Sequence, residues 1–208
     1  MLKTTFYWDK FYKNFNLKKP SDFAIFIAKR KNTGNLIDIG CGNGRDSIFF
    51  QNDKTNVLGI DTCKYIIDKN IQLTKQNKKI KFKNIDISSK KFLKIEKFNN
   101  VYCRFVLHII NSEKEDLLLN NIKKITKKNS LIFFEFRTTN DKLYKIGKKI
   151  SKYERYTDHY RRFINVNDFL KKIIQLNVFS LLYLNEDTNF SKIYKENPTL
   201  CRIILKKI

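Results

Sequence analysis

Residues Leu36-Ile37-Asp38-Ile39-Gly40-Cys41-Gly42-Asn43-Gly44-Arg45-Asp46 constrain this chain more than any other stretch. A short apolar run carrying an acid leads into three glycines at alternate positions, and Asp46-Ser47-Ile48-Phe49-Phe50 can then start a helix. The expected arrangement is strand, tight turn, helix. Glycine is needed where φ turns positive or where a ligand must come close to the backbone, and a turn that opens a helix presents free N–H groups and the positive end of its dipole. The stretch therefore reads as a nucleotide pocket. A dinucleotide fingerprint requires G-x-G-x-x-G, but Arg45 stands where its third glycine belongs and Gly44 falls one residue early. That weakens an NAD reading, and the absence of G-x-x-x-x-G-K-[ST] leaves a P-loop ATPase unsupported.

A second acid bears on the same pocket. Val57-Leu58-Gly59-Ile60-Asp61 reads as an apolar strand with a carboxylate at its tip, 21 residues beyond Gly40. In nucleotide-binding βαβ units an acid so placed accepts the ribose hydroxyl protons. The plainer alternative is a surface aspartate that ends a strand.

The pattern D-x-G-x-G-x-G from Asp38, with Asp61 after it, resembles the first motif of class I S-adenosylmethionine-dependent methyltransferases. The resemblance implies an α/β, Rossmann-like, seven-stranded and mostly parallel sheet, its last strand antiparallel, with helices on both faces and an N-terminal helical lid. It implies S-adenosylmethionine as cofactor and S-adenosylhomocysteine as product. By position, Asp38, Gly40, Gly42 and Gly44 would hold the methionine end and Asp61 the ribose. After a strand at Ile80–Ile85, Asp86 would accept from the adenine amino group while the Ile87 N–H reaches the ring. Asp86 could equally cap the following turn. The expected organisation is one methyltransferase domain over 1–208, with a helical cap at 1–34 and a core at 35–208 carrying an insertion around 138–164.

Composition sets bounds on partners. At 208 residues the chain can bury a real core, and 42% hydrophobic and 14% aromatic residues argue against disorder. No run approaches the roughly 20 apolar residues of a membrane span, and Met1–Phe6 lacks a signal-peptide core, so a cytoplasmic location is expected. Cys41, Cys63, Cys103 and Cys201 form no C-x-x-C pair and lie near no histidine cluster, which points to neither a metal site nor a disulfide framework. The net charge of +23 fits nucleic-acid binding or steering of an acidic substrate. Lysine pairs such as Lys18-Lys19, Lys78-Lys79 and Lys148-Lys149 are nevertheless spread along the chain with no basic tail, as compositional bias would leave them.

Taken in order, Tyr7, Trp8, Phe11, Tyr12 and Phe15 fall at helical spacing. They would pack on the core or, as in the family resembled, fold over the pocket so that Tyr7, Trp8 and Tyr12 meet cofactor or acceptor, with Trp8 a candidate cofactor contact and Tyr12 a candidate acceptor contact. Ser21 or Asp22 should cap a helix over 23–31, and Thr62 another towards Asn77. The strand Asn99–Val106 ends near Arg104 and His108, where nucleic-acid amino methyltransferases carry [DNS]-P-P-[YFW]; that tetrapeptide is absent. Arg104 in a strand needs an anion: the cofactor carboxylate, Asp38 or an acidic acceptor. Glu135 and Arg137 share one side of the fifth strand and could simply pair with each other.

The segment Tyr153–Phe163 gathers arginines, tyrosines and His159 in a chain otherwise rich in lysine. Arginine is the residue for fixed, bidentate recognition of an anion. Arg137, Tyr156, Tyr160, Arg161 and Arg162 are therefore candidate acceptor contacts, with His159, ahead of His108, as base. The stretch His159-Tyr160-Arg161-Arg162-Phe163 is similar to segments of methyltransferases from capsule and surface-polysaccharide clusters, which implies O-methylation of a small anionic precursor, a phosphoramidate decoration among them. An RNA or protein methyltransferase using the basic surface is the alternative.

Overall fold

The computed structural model describes residues 7–8, 10–13, 18–89, 92, 96–191 and 196–208, so Phe6 and Phe15 of the expected N-terminal helix lie outside the described residues. Residues 7–8 and 10–13 are helical and are called α1. Then follow α2 (Asp22–Ala28), β1 (Leu36–Ile39), α3 (Arg45–Phe50), β2 (Val57–Asp61), α4 (Lys64–Leu73), β3 (Ile80–Asn84) and β4 (Phe98–Arg104). The second half holds α5 (Ser112–Ile125), β5 (Thr126–Arg137), β6 (Lys148–Lys149), β7 (Glu154–Tyr156), β8 (Tyr160–Arg162), α6 (Val166–Leu176), β9 (Phe179–Asp187) and β10 (Leu200–Lys207).

Seven strands form one sheet in the order β3-β2-β1-β4-β5-β10-β9. The pairs from β3 to β5 are parallel, and β10 runs antiparallel to both β5 and β9. This is the Rossmann-like sheet that the motif order implies. The four residues of β1 are all buried, as expected of a parallel strand covered on both faces. Its side chains alternate between two cores. Leu36 packs with Phe23 and Ile27 of α2 and Phe50 of α3, while Ile37 and Ile39 join Leu118 and Ile122 of α5 and Phe169 of α6. Chain order reverses at β1, with β2 on one side and β4 on the other, and ligands bind outside the carboxyl ends of strands at such a point.

Polar contacts fix the helices that frame this crevice. Ser21 caps α2 by accepting from the Ala24 N–H, and its own N–H and hydroxyl donate to Asp46 in the first turn of α3 at 2.7 Å. The Tyr102 hydroxyl of β4 donates to the same carboxylate at 2.9 Å. Helix α4 starts one residue later than Thr62 would place it: Cys63 is the N-cap, its N–H held by Asp61 Oδ1 at 2.9 Å. Strand β5 begins at Thr126, where that residue ends α5 with its hydroxyl on the Ile122 carbonyl, and Ser130 ties the next turn to the Phe98 carbonyl.

The 138–164 connection carries structure that no periodicity announced. Strands β6, β7 and β8 form a separate antiparallel sheet of two- and three-residue strands, too short to show a period of two. A bridge between Thr138 and Ile164 closes its neck. Arg162 is not free to meet an acceptor. Buried, it donates to the carbonyls of Ile110 and Leu107 and pairs with Glu115, so it pins the insertion to the turn after β4.

Candidate active site

The glycine turn joins the tip of β2 to α4. The Gly42 N–H donates to Asp61 Oδ2 at 2.9 Å, and Asn70 Nδ2 donates to the Gly42 carbonyl at 2.8 Å. Gly42 has φ +52°, and a Cβ there would lie 2.4 Å from the Tyr12 hydroxyl, so this turn tolerates no side chain. A carboxylate offers about four acceptor positions. Asp61 gives one to Gly42 and one to Cys63, with the Thr62 amide also against it, which leaves acceptor room for a ribose hydroxyl. Burial raises its pKa, against hydrogen bonds from the Cys63, Gly42 and Thr62 amides.

Asp38 turns inward and accepts from the Ser47 hydroxyl at 2.6 Å, tying β1 to α3. Burial pushes its pKa up to about 8, with Ser47 opposing and Asp46 and Asp61 reinforcing the shift. The native state therefore keeps a proton that the unfolded chain releases near pH 4. Asp38 thus favours folding most below the unfolded pKa, and that advantage disappears as pH rises through about 8. Asp38→Asn does not titrate. Thermal melts are expected to show wild type losing roughly 10 °C relative to this variant between pH 5 and pH 9; parallel pH profiles would contradict the assignment.

Helix α1 crosses the crevice. Tyr12 sits over the glycine turn, where burial and then Asp61 and Cys41 raise the pKa of its hydroxyl. One turn back, Trp8 lies 6.1 Å from the Tyr12 ring and 5.6 Å from that of His159. Tyr7 stacks on His159 at 4.1 Å and donates to Asp158 Oδ2 at 3.0 Å. One short helix thus touches both the glycine turn and the insertion.

Asp86 accepts from the Ser88 N–H and hydroxyl, and Lys114 donates to it at 3.2 Å. Burial works to raise its pKa, but these partners prevail and hold it below the carboxylate range. Ile87 beside it is buried, its carbonyl taken by Asn121.

Arg104 has a different anion from the three expected. Its Nε donates to Glu135 Oε1 at 2.8 Å, and Arg202 of β10 donates to Glu135 Oε2 at 2.7 Å. Glu135 and Arg137 do not pair. Arg137 binds Asp141 at 3.0 Å and also Glu196. Of the remaining candidates, Arg161 pairs with Asp158 at 2.7 Å, Tyr160 donates to Glu154 at 2.5 Å, and Tyr156 is exposed. Sequence reasoning passed over Asp158, which holds Tyr7 and Arg161 and stands 3.0 Å from His159 Nδ1. Its place beside a histidine among arginines was the available signal.

The histidines face one cationic region. His108 is pushed well below its ordinary range by burial, then by Arg137, Arg161, His159 and Arg104. Its Nδ1 accepts the Arg137 N–H at 3.4 Å, so the proton of the neutral ring is on Nε2. His159 is likewise lowered by burial and Arg161, with Asp158 opposing. Its Nδ1 is out of line with Asp158 and, like Trp8 Nε1, is buried without a hydrogen bond among the described residues.

With this geometry in place, a family model described as a methyltransferase domain matches residues 9–190. The chain belongs to that methyltransferase family. Among solved structures, this methyltransferase is similar to a SAM-dependent methyltransferase of Methanosarcina mazei, with TM-score 0.74, 16% identity, and coverage of 88% of this chain and 97% of the other. The N-methyltransferase NodS of Bradyrhizobium japonicum, in complex with S-adenosylhomocysteine, gives TM-score 0.61 at 11% identity over 89% and 83% of the two chains. The [4+2]-cyclase SpnF gives 0.67 at 13% identity over 92% and 84%. No curated protein matches. These likenesses establish the fold, which hosts different chemistries.

Proposed function

We propose that this methyltransferase takes S-adenosylmethionine as donor, leaves S-adenosylhomocysteine, and methylates an oxygen of a small anionic acceptor. The acceptor class is a phosphate-, phosphoramidate- or carboxylate-bearing sugar of the kind built into capsular polysaccharide. When bound, the cofactor supplies an electrophilic methyl group. The glycine turn and the open acceptor positions of Asp61 fit its methionine and ribose parts, and Asp86, ionised at neutral pH, fits an amino donor on the adenine with the Ile87 N–H beside it.

The observation that carries the acceptor reading is the junction of α1 and the insertion. There Trp8 Nε1 is buried without a hydrogen bond among the described residues and His159 Nδ1 has only the out-of-line Asp158 carboxylate at 3.0 Å, beside a region where burial and arginines depress both histidines. Buried polar atoms are rarely left so, and a polar group of the acceptor satisfies them. The positive potential selects an anion. His159, neutral at neutral pH, can take the proton that an acceptor hydroxyl loses as its oxygen gains the methyl. His108, its Nδ1 already accepting, is a donor that orients the acceptor. Arg161 holds negative charge.

The test is incubation with tritiated-methyl S-adenosylmethionine and either phosphorylated and carboxylated sugars or bulk tRNA. Label should enter the small anions. His159→Gln should lower kcat about 100-fold and remove the loss of activity at low pH, while Arg161→Ala raises the acceptor KM about tenfold and leaves the cofactor KM unchanged. Label confined to RNA would overturn the proposal in favour of a nucleic-acid enzyme.

A further inference from the structure

The insertion has an outer side that the active site does not use. Over 142–155 it carries Lys142, Lys145, Lys148, Lys149, Lys152 and Arg155 against the single acid Glu154. Two isoleucines stand among these lysines, Ile146 and Ile150, each 51% exposed. Lys148 of β6 pairs across to Tyr156 of β7, itself 44% exposed. Exposed isoleucines interspersed with cations match a surface that is both apolar and anionic.

Such a cluster could face a nucleic acid or an anionic lipid surface, and the aromatic rings separate the two. Bases stack on open aromatic faces. Here Arg155 lies 4.5 Å over the Tyr144 ring and Lys152 4.8 Å over the Tyr153 ring, so each ring has one face already taken by a cation. What projects uncharged is isoleucine and the Tyr156 ring; isoleucine offers a base no stacking plane but partitions into the boundary between headgroups and acyl chains. Exposed tyrosine suits the same boundary. We propose that the β6–β7 edge of the insertion docks this protein on an anionic lipid surface, with Ile146 and Ile150 seated between headgroups and Lys148 and Lys149 against their phosphates. This does not rest on the acceptor reading. Because the same insertion carries His159 and Arg161, docking would bring the acceptor side of the crevice to the membrane.

With a charge of +23, the whole protein will adhere to any anionic vesicle at low salt, so the test compares matched variants at 0.15 M salt. Co-sedimentation is measured with phosphatidylcholine vesicles with and without 30% phosphatidylglycerol, a composition set at about physiological anionic content. Ile146→Ser/Ile150→Ser, which leaves charge unchanged, is set beside Leu181→Ser/Leu182→Ser on exposed β9. Lys148→Glu/Lys149→Glu is set beside Lys78→Glu/Lys79→Glu at the opposite edge of the sheet. The insertion variants should bind the anionic vesicles about tenfold more weakly than their controls. Equal losses in insertion and control variants would show charge without a site. Loss of binding to a single-stranded RNA 20-mer, with vesicle binding retained, would assign the surface to nucleic acid instead. Either result overturns the proposal.

Discussion

Asp61→Ala is expected to abolish the rise in melting temperature that S-adenosylhomocysteine gives the wild-type protein. A ligand bound only to the native state stabilises it by RT ln(1 + [L]/Kd), so the shift reports affinity directly. Hydrogen bonds to a charged group contribute about 1.5–3 kcal/mol each. If Asp61 accepts the ribose hydroxyls, as proposed, its removal should weaken binding about 100-fold or more. Asp61 also accepts from Gly42 and Cys63, so its loss loosens the turn as well. Asp61→Asn separates the effects. It keeps an acceptor for one amide but only one oxygen, and its ligand-induced shift should fall between those of wild type and alanine. An undiminished shift in Asp61→Ala would place the ligand elsewhere.

Glu135→Ala should be the most destabilising single change outside the cofactor crevice. Glu135 is fully buried between Arg104 and Arg202, and Arg202 is itself surrounded by Phe23, Phe26 and Phe190. Removing one partner from a buried ion pair costs about 3–5 kcal/mol, because the remaining charge keeps its desolvation penalty. Here two guanidinium groups lose their shared carboxylate. For a chain of this size the melting temperature should fall about 10 °C. Glu96→Ala, an exposed acid bonded to Asn35, should move it by about 1 °C. A small shift for Glu135→Ala would mean that water reaches the two arginines.

The sheet and its crevice were legible because their signals are local. A glycine triplet at alternate positions, flanked by an apolar run and a helix start, has few other uses, and Asp61 follows at the spacing a βαβ unit imposes. The side-chain pairings were not legible. Glu135 and Arg137 share a strand face, yet each finds its partner on another element: Arg104 and Arg202 for the first, Asp141 and Glu196 for the second. Sequence spacing states which side a residue takes and nothing about which neighbour the adjacent strand supplies. Arg162 was misread for the same reason. Its arginine-rich surroundings suggested an anion site, whereas packing of the insertion gives it Glu115 and main-chain carbonyls. The small sheet of the insertion escaped notice because its strands hold two or three residues.

If the crevice between β1 and β4 binds S-adenosylmethionine, calorimetric titration of the wild-type protein with S-adenosylhomocysteine gives saturable one-to-one heat, and ATP and NAD give none. Heat with NAD or ATP alone, or with no ligand, would mean that the glycine turn serves another purpose.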